Sequence, residues 1–323
     1  MQPHALTLVL NPHARKPRLR PPSVDVLQAR LGPDSRIHVT QNLDELDQLM
    51  SAWSEEEETL CFYGGDGSIA RGLTSLVRHQ GEDFNLPPVL TVRAGTINML
   101  CNILGFRESV DRTLARWTRR ELSGQRLIPM LKVEVEGEPP QYGFIFAWGV
   151  GYRVLRDYYA KSEKPDVLDA VATMASTFAA ALGPGADEHR LFRAENIDLR
   201  VDGLACAGSA HALTVGTIER LSLGIRPFPP EPIKAGGFHY SSNGMSLGRV
   251  ALHSPSLLFG MGDLRSLEER YAGRLRSGAN ARELTCVLSE GFTMDGEMFE
   301  LPEPRRVRLA PGPVVRFWTK SNA

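Results

Sequence analysis

Along the first third of the chain, two patterns of apolar and polar positions take turns. Short continuous apolar runs at Leu6–Leu10, Thr59–Tyr63 and Val89–Val92 read as strands buried on both faces, and Arg36–Val39 as a fourth strand. Between them, Ser23–Leu31 and Leu43–Trp53 place apolar residues at helical spacing, with Leu43, Leu46, Leu49 and Met50 on one face. A third helix follows the glycines after Tyr63 and runs to about Arg78, and a fourth follows the turn after Val92. Strands that alternate with helices predict a parallel sheet covered by helices.

The pattern changes near Ser123-Gly124. From there the segments are mostly strand-like: Leu127–Glu136, Tyr142–Trp148, Glu195–Val201, Ala210–Val215, Arg249–His253, Glu283–Leu288, Arg305–Leu309 and Val314–Trp318. One helix interrupts them, Asp166–Leu182, where Val167, Val171, Met174, Phe178 and Leu182 form a stripe suited to packing. The expected architecture is α/β: a parallel-sheet domain over 1–124, then a β-rich, sandwich-like domain over 125–323.

Composition narrows the function classes. The 323 residues carry 37 Lys+Arg against 38 Asp+Glu, a net charge of −1 that argues against nucleic acid as a partner. With 42% hydrophobic and 23% charged residues, a large core needs neither disulfides nor a structural metal. Cys61, Cys101, Cys206 and Cys286 form no CxxC pair and read as buried free thiols of a reducing compartment. The apolar run Ala5–Leu10 is too short for a signal-peptide core. Ala170–Leu182 falls short of the roughly 20 residues needed to span a bilayer. A cytoplasmic protein is expected, with any membrane contact peripheral.

Three motifs can carry chemistry. In Cys61-Phe-Tyr-Gly-Gly-Asp-Gly-Ser-Ile-Ala70, a strand enters a glycine turn and then a helix, whose N-terminal N–H groups suit a phosphate. Asp66 would repel a bare phosphate there, so it points to Mg²⁺ or to a hydroxyl that loses a proton; a helix cap is the plainer alternative. With no evident packing role, Asp66 is expected to be dispensable for folding. No GxxxxGK[ST] is present, which excludes a Walker-type loop, and GxGxxA after the third strand is a weak dinucleotide signal. Gly95-Thr96-Ile97-Asn98 brings a hydroxyl and an amide to the next strand-to-helix junction. Asp295-Gly296-Glu297 sets two carboxylates about a hairpin-like bend; on an extended strand both would point to one face. No HExxH, HxxxH or GxSxG occurs, which argues against a zinc site or a hydrolase elbow.

The order Asn11-Pro12, Gly64-Gly65-Asp66-Gly67-Ser68, Gly95-Thr96-Ile97-Asn98, Asp295-Gly296-Glu297 resembles the bacterial diacylglycerol-kinase-like lipid kinases. That superfamily includes sphingosine and ceramide kinases and, more distantly, NAD kinases. The resemblance implies a nucleotide domain, a β-rich lipid domain and an active site between them. ATP would be held by Asn11 to Arg15, Thr40, Gly64 to Ala70, Thr96 and Asn98, and Mg²⁺ by Asp66 and Asp295. Glu297 is the first choice for the base that takes the proton of the lipid hydroxyl, with Asp66 competing for the role.

The chain departs from the family at three places. Asn11-Pro-His-Ala-Arg15 replaces Asn-Pro-x-Ser-Gly, so that Arg15 or Lys16 would have to meet phosphate. Gly151-Tyr-Arg-Val154 puts Arg153 where a carboxylate is usual, and Ala235–Gly244 has none of the acidic residues of a second, structural metal site. The implied reaction moves the γ-phosphoryl of ATP to a primary hydroxyl of diacylglycerol, ceramide or a sphingoid base. Arg15, Lys16, Arg18 and Arg20 could meet nucleotide phosphates or an anionic membrane, and transient residence at the inner membrane surface follows. The rivals are a NAD kinase-like enzyme, a phosphofructokinase-like enzyme sharing Gly-Gly-Asp-Gly-Ser, and an inactive lipid-binding or regulatory protein.

Overall fold

The computed structural model describes residues 5–54, 58–95, 98–161, 190–206, 208–221 and 225–320. The expected helix Asp166–Leu182 lies outside them. Two units emerge, one of residues 1–130 and 313–323, the other of residues 131–312. The sequence reading placed the boundary at 124/125 and the whole C-terminus in the second domain. The difference arises because strand β5 (Gly124–Val135) and strand β16 (Arg305–Thr319) each run through both units.

In the first unit β1 (Leu6–Leu10), β2 (Arg36–Val39), β3 (Thr59–Tyr63) and β4 (Val89–Thr91) form a parallel sheet in the order β2-β1-β3-β4. The end of β16 lies parallel beside β4, Phe317 opposite Val89. Every residue of β1, β3 and β4 is buried, as their continuous apolar runs require, while the edge strand β2 is partly exposed. The helices are α1 (Arg15–Leu19), α2 (Val24–Leu31), α3 (Leu43–Ser51), α4 (Asp66–Gln80), α5 (Met99–Ile103) and α6 (Val110–Thr118). Side chains of Ser23, Asn42 and Ser109 cap α2, α3 and α6 by accepting a backbone N–H. On α3 only Leu46 and Met50 of the expected stripe are buried, and Leu43 is exposed. Helix α4 packs on β3 through Gly72, where a Cβ would come within 2.2 Å of the Phe62 ring.

The second unit packs two sheets around one core. One is antiparallel, in the order β12 (Leu275–Ala281), β11 (Phe238–Asn243), β10 (Ala212–Gly216), β7 (Ile145–Gly149), β14 (Phe292–Met294), β15 (Glu297–Phe299). The other joins the first half of β16 to β13 (Leu284–Leu288), then β8 (Arg200–Val201) and β9 (Leu204–Ala205), and also to β5 and β6 (Gln141–Gly143). Leu131 and Val133 of β5, Phe146 and Trp148 of β7, Val215 of β10, Cys286 of β13 and Val307 of β16 meet in that core. The sandwich-like reading holds.

Several elements differ from expectation. Arg249–His253 is not a strand but part of a helix over Leu247–Leu252, one of three short helices with Ser254–Phe259 and Leu264–Arg270. Leu264, Leu267 and Tyr271 recur at helical spacing and pack with Val250, Met245 and Leu257, which is what commits this stretch to helix. Strands β11 and β12 are not legible in the sequence because most of their positions are small or polar, among them Ser241, Ser277 and Asn280. Cys61, Cys101 and Cys286 are buried free thiols as expected, whereas Cys206 is only half-buried.

Candidate active site

The chain order against the sheet order locates the site in the first unit. From β1 the chain moves outward to β2, then returns across β1 to β3, so the connections diverge between β1 and β3. In an open α/β sheet such a switch point, at the C-terminal strand ends, is where ligands bind. Asn11, Thr40 and Gly64 are the residues that immediately follow β1, β2 and β3, and Gly95 lies in the turn after β4. All four therefore sit along one edge of one sheet.

Hydrogen bonds tie these turns together. Asn11 donates from Nδ2 to Ser68 Oγ at 3.1 Å across the switch point, while its Oδ1 accepts His13 N–H at 2.9 Å. The backbone N–H of Asn11 bonds Tyr63 O, that of Thr40 bonds Leu10 O, and that of Lys16 bonds Ala94 O. Arg15 opens α1. Backbone proximity explains the glycines. A Cβ on Gly95 would come within 2.5 Å of Gly65 Cα, and one on Gly64 within 2.4 Å of Ser68 Oγ.

Helix α4 begins earlier than the motif suggests, at Asp66, so Gly67 and Ser68 form its first turn and Gly65 is its N-cap. The cap residue Gly65 has no side chain to bond this helix, whose positive dipole end lies at the switch point. A phosphate fits that cradle. Thr96, assigned to ATP from the sequence, lies outside the described residues. Asn98 adopts a left-handed backbone (φ 53°) and exchanges two hydrogen bonds with Gly95, accepting its N–H at 2.9 Å and donating to its carbonyl at 2.8 Å. Its amide closes the turn.

Asp66 corrects the expectation that it has no packing role. Its carboxylate is buried and accepts the N–H of Met99 at 2.8 Å and of Leu100 at 3.0 Å, capping α5 from α4. Burial pushes its pKa up, opposed by those backbone donors and by the charge of Arg93.

Asp295 does the same work in the second unit. It and Gly296 form the two-residue turn between β14 and β15, with φ 51° and 88°. Both signs suit a type I′ hairpin, so Asp295 and Glu297 are not successive outward positions of one extended strand. The Asp295 carboxylate accepts the N–H of Phe144 at 2.9 Å and of Ile145 at 3.0 Å. Glu297 opens β15 and is half-buried. Arg153, the residue out of keeping with the family pattern, is buried and ion-paired with Glu195 (2.9 Å) and Glu290 (2.7 Å).

Mg²⁺ was assigned to Asp66 and Asp295. Among the described residues no group of three or more His, Cys, Asp or Glu is placed to hold an ion. Each aspartate engages backbone N–H groups with both oxygens, yet a carboxylate oxygen has a second lone pair. That suits Mg²⁺ arriving on nucleotide phosphates and taking one carboxylate from the protein, and does not suit a cage built by the protein alone. Sequence reading passed over Tyr159, whose hydroxyl donates to Gly296 O at 3.2 Å. Its signal was the pairing with Tyr152 two helical turns earlier.

Residues 5–128 match the family model described as "Diacylglycerol kinase catalytic domain". No curated protein matches the sequence. Three solved structures from Bacillus anthracis str. Sterne, described as diacylglycerol kinases (one outright, two provisionally), superpose on the chain. They do so with TM-scores of 0.60, 0.67 and 0.66 at 14%, 18% and 17% identity. The matches cover 97%, 98% and 98% of this chain and 96%, 95% and 97% of those. At that identity the likeness is one of fold. Residues 5–128 are thus similar to a diacylglycerol kinase catalytic domain, and the chain over nearly its whole length shares the fold of these three structures.

Proposed function

We propose that the chain is an ATP-dependent lipid kinase that phosphorylates a primary hydroxyl of a neutral lipid such as diacylglycerol, ceramide or a sphingoid base. The observation that carries this reading is the cradle at the β1–β3 switch point. There Asn11, the Gly64–Ser68 turn, Gly95 and Asn98 are knitted by side-chain and backbone contacts beside the N-terminal end of α4. Phosphoryl transfer needs chiefly positioning and charge neutralisation, which glycine turns and a few fixed carboxylates can supply.

In this reading the Gly65 cap and the first turn of α4 receive the phosphates, and Asn11 and Ser68 hold the turn in shape. Mg²⁺ carried on ATP would supply neutralisation of phosphate charge, and Asp66 or Asp295 would be the carboxylates that hold it. Glu297 accepts the proton of the lipid hydroxyl as it attacks. Contact with the bilayer is peripheral: no helix among the described residues is long and apolar enough to cross a membrane. Arg18 and Arg20 are exposed on and just after α1, with Leu19 exposed between them, and suit an anionic surface.

The test is incubation with labelled ATP and a panel of diacylglycerol, ceramide, sphingoid base, NAD and fructose 6-phosphate. A labelled lipid is expected; label on NAD or the sugar alone, or on nothing, refutes the reading. Glu297→Gln should leave ATP binding intact and cut turnover by roughly 10²–10⁴, the range for a lost general base.

A further inference from the structure

The hairpin that carries Asp295 and Glu297 is held along its length by one helix, α7 (Val150–Lys161), which packs on both β14 and β15. At the near end Arg153 pairs with Glu290, just before the hairpin. Tyr152 lies over Gly291, where a Cβ would come within 2.6 Å of its ring. Two turns on and on the same face of the helix, Tyr159 reaches the tip and donates from Oη to Gly296 O at 3.2 Å.

The tip needs that third hold. Its two turn residues both have positive φ, and its Asp295 half is tied to Phe144 and Ile145. The Glu297 half belongs to β15, which has three residues and pairs with β14 alone at the edge of the sheet. The carbonyl that Tyr159 grips is the one in the Gly296–Glu297 peptide. Although Tyr159 is 43% exposed, the partial burial of its phenol and the nearby charge of Glu297 push it up to about 12, so it keeps its proton and remains a donor across the neutral range.

We propose that Tyr159 is a positioning residue: by fixing the Gly296–Glu297 peptide it aims the Glu297 carboxylate at the acceptor hydroxyl. The inference rests on the assignment of Glu297 as base. The hydroxyl forms no bond to substrate and transfers no proton; it limits the orientations open to the carboxylate. Near-attack geometry is sensitive to that kind of freedom.

The experiment compares Tyr159→Phe with wild type in the full chain, by hydrogen exchange of the peptide over 290–300 and by kinetics with ATP and lipid varied separately. Tyr159→Phe keeps the ring and its packing. The expected results are faster exchange confined to that peptide, an unchanged KM for ATP and a kcat lowered about tenfold, the scale of one hydrogen bond. Unchanged exchange in 290–300 overturns the proposal, as does faster exchange across the whole of 131–312, which would mark general loosening. Normal kcat in a variant with the local exchange change overturns it too. Exchange needs no substrate, so a wild-type protein that labels no lipid refutes the kinase reading while the exchange result still judges the tether.

Discussion

Replacing Asp66 with alanine should destabilise the first unit, and the size of the effect follows from two bonds. The Asp66 carboxylate accepts the N–H of Met99 and of Leu100, the first two residues of a five-residue helix. Without it both donors are buried and unpaired, a penalty of roughly 1–3 kcal/mol each. Relief from burying a carboxylate offsets part of this, leaving about 2–4 kcal/mol. For a domain of this size that lowers Tm by roughly 6–12 °C. Asp66→Asn keeps one acceptor but turns an amide donor toward an N–H, and should recover less than half of the loss. Denaturant titration and calorimetry of both variants measure it. An Asp66→Ala protein within about 0.5 kcal/mol of wild type, the range of a neutral surface substitution, refutes the clamp. Lost activity in the alanine variant therefore says little about proton transfer unless its fold is measured beside it.

Gly95→Ala should raise the KM for ATP well before it unfolds the protein, because the added methyl must push the Gly65 turn away from a 2.5 Å approach; unchanged nucleotide titration would contradict this. Asp47, held below the ordinary carboxylate range by hydrogen bonds from Ser75 and His79, joins α3 to α4. Its folded pKa is depressed, so its contribution is present above the unfolded pKa and is lost as pH falls through the folded one. Asp47→Asn should flatten the acid limb of a Tm–pH profile by no more than about 0.5 kcal/mol, since the pair is exposed. Co-sedimentation with anionic vesicles should weaken with salt and weaken further in an Arg18→Gln, Arg20→Gln variant; binding indifferent to both would remove the basic cluster from the membrane contact.

What the sequence disclosed depends on how far apart the interacting residues are. Leu6–Leu10 and Thr59–Tyr63 declare themselves because a strand buried on both faces must be apolar throughout. Phe238–Asn243 and Leu275–Ala281 do not, since their apolar residues are few and set among serine, asparagine, glycine and arginine. Arg249–His253 looks like a strand in isolation, and its helical partners Leu264 and Leu267 lie beyond a proline and two glycines. At the candidate site the glycines were legible because a close backbone approach excludes any other residue. The work of the aspartates was not. Asp66 binds residues 33 and 34 positions away, and Asp295 residues 151 and 150 positions away, separations that no local pattern encodes.

The return of the chain's end to the first unit sets an order on biosynthesis. Trp318 donates its indole N–H to Thr59 Oγ1 and meets Trp117 edge to face, Lys320 bonds Leu104 O, and Phe317 stands beside Val89. A ribosome delivers Val89 and Leu90 long before those partners, so the nascent parallel sheet carries an apolar open edge through the synthesis of the entire second unit. The first unit is completed only by residues made after the second. A chain stopped after residue 304 would hold every glycine of the nucleotide cradle and still lack the strand that closes its sheet.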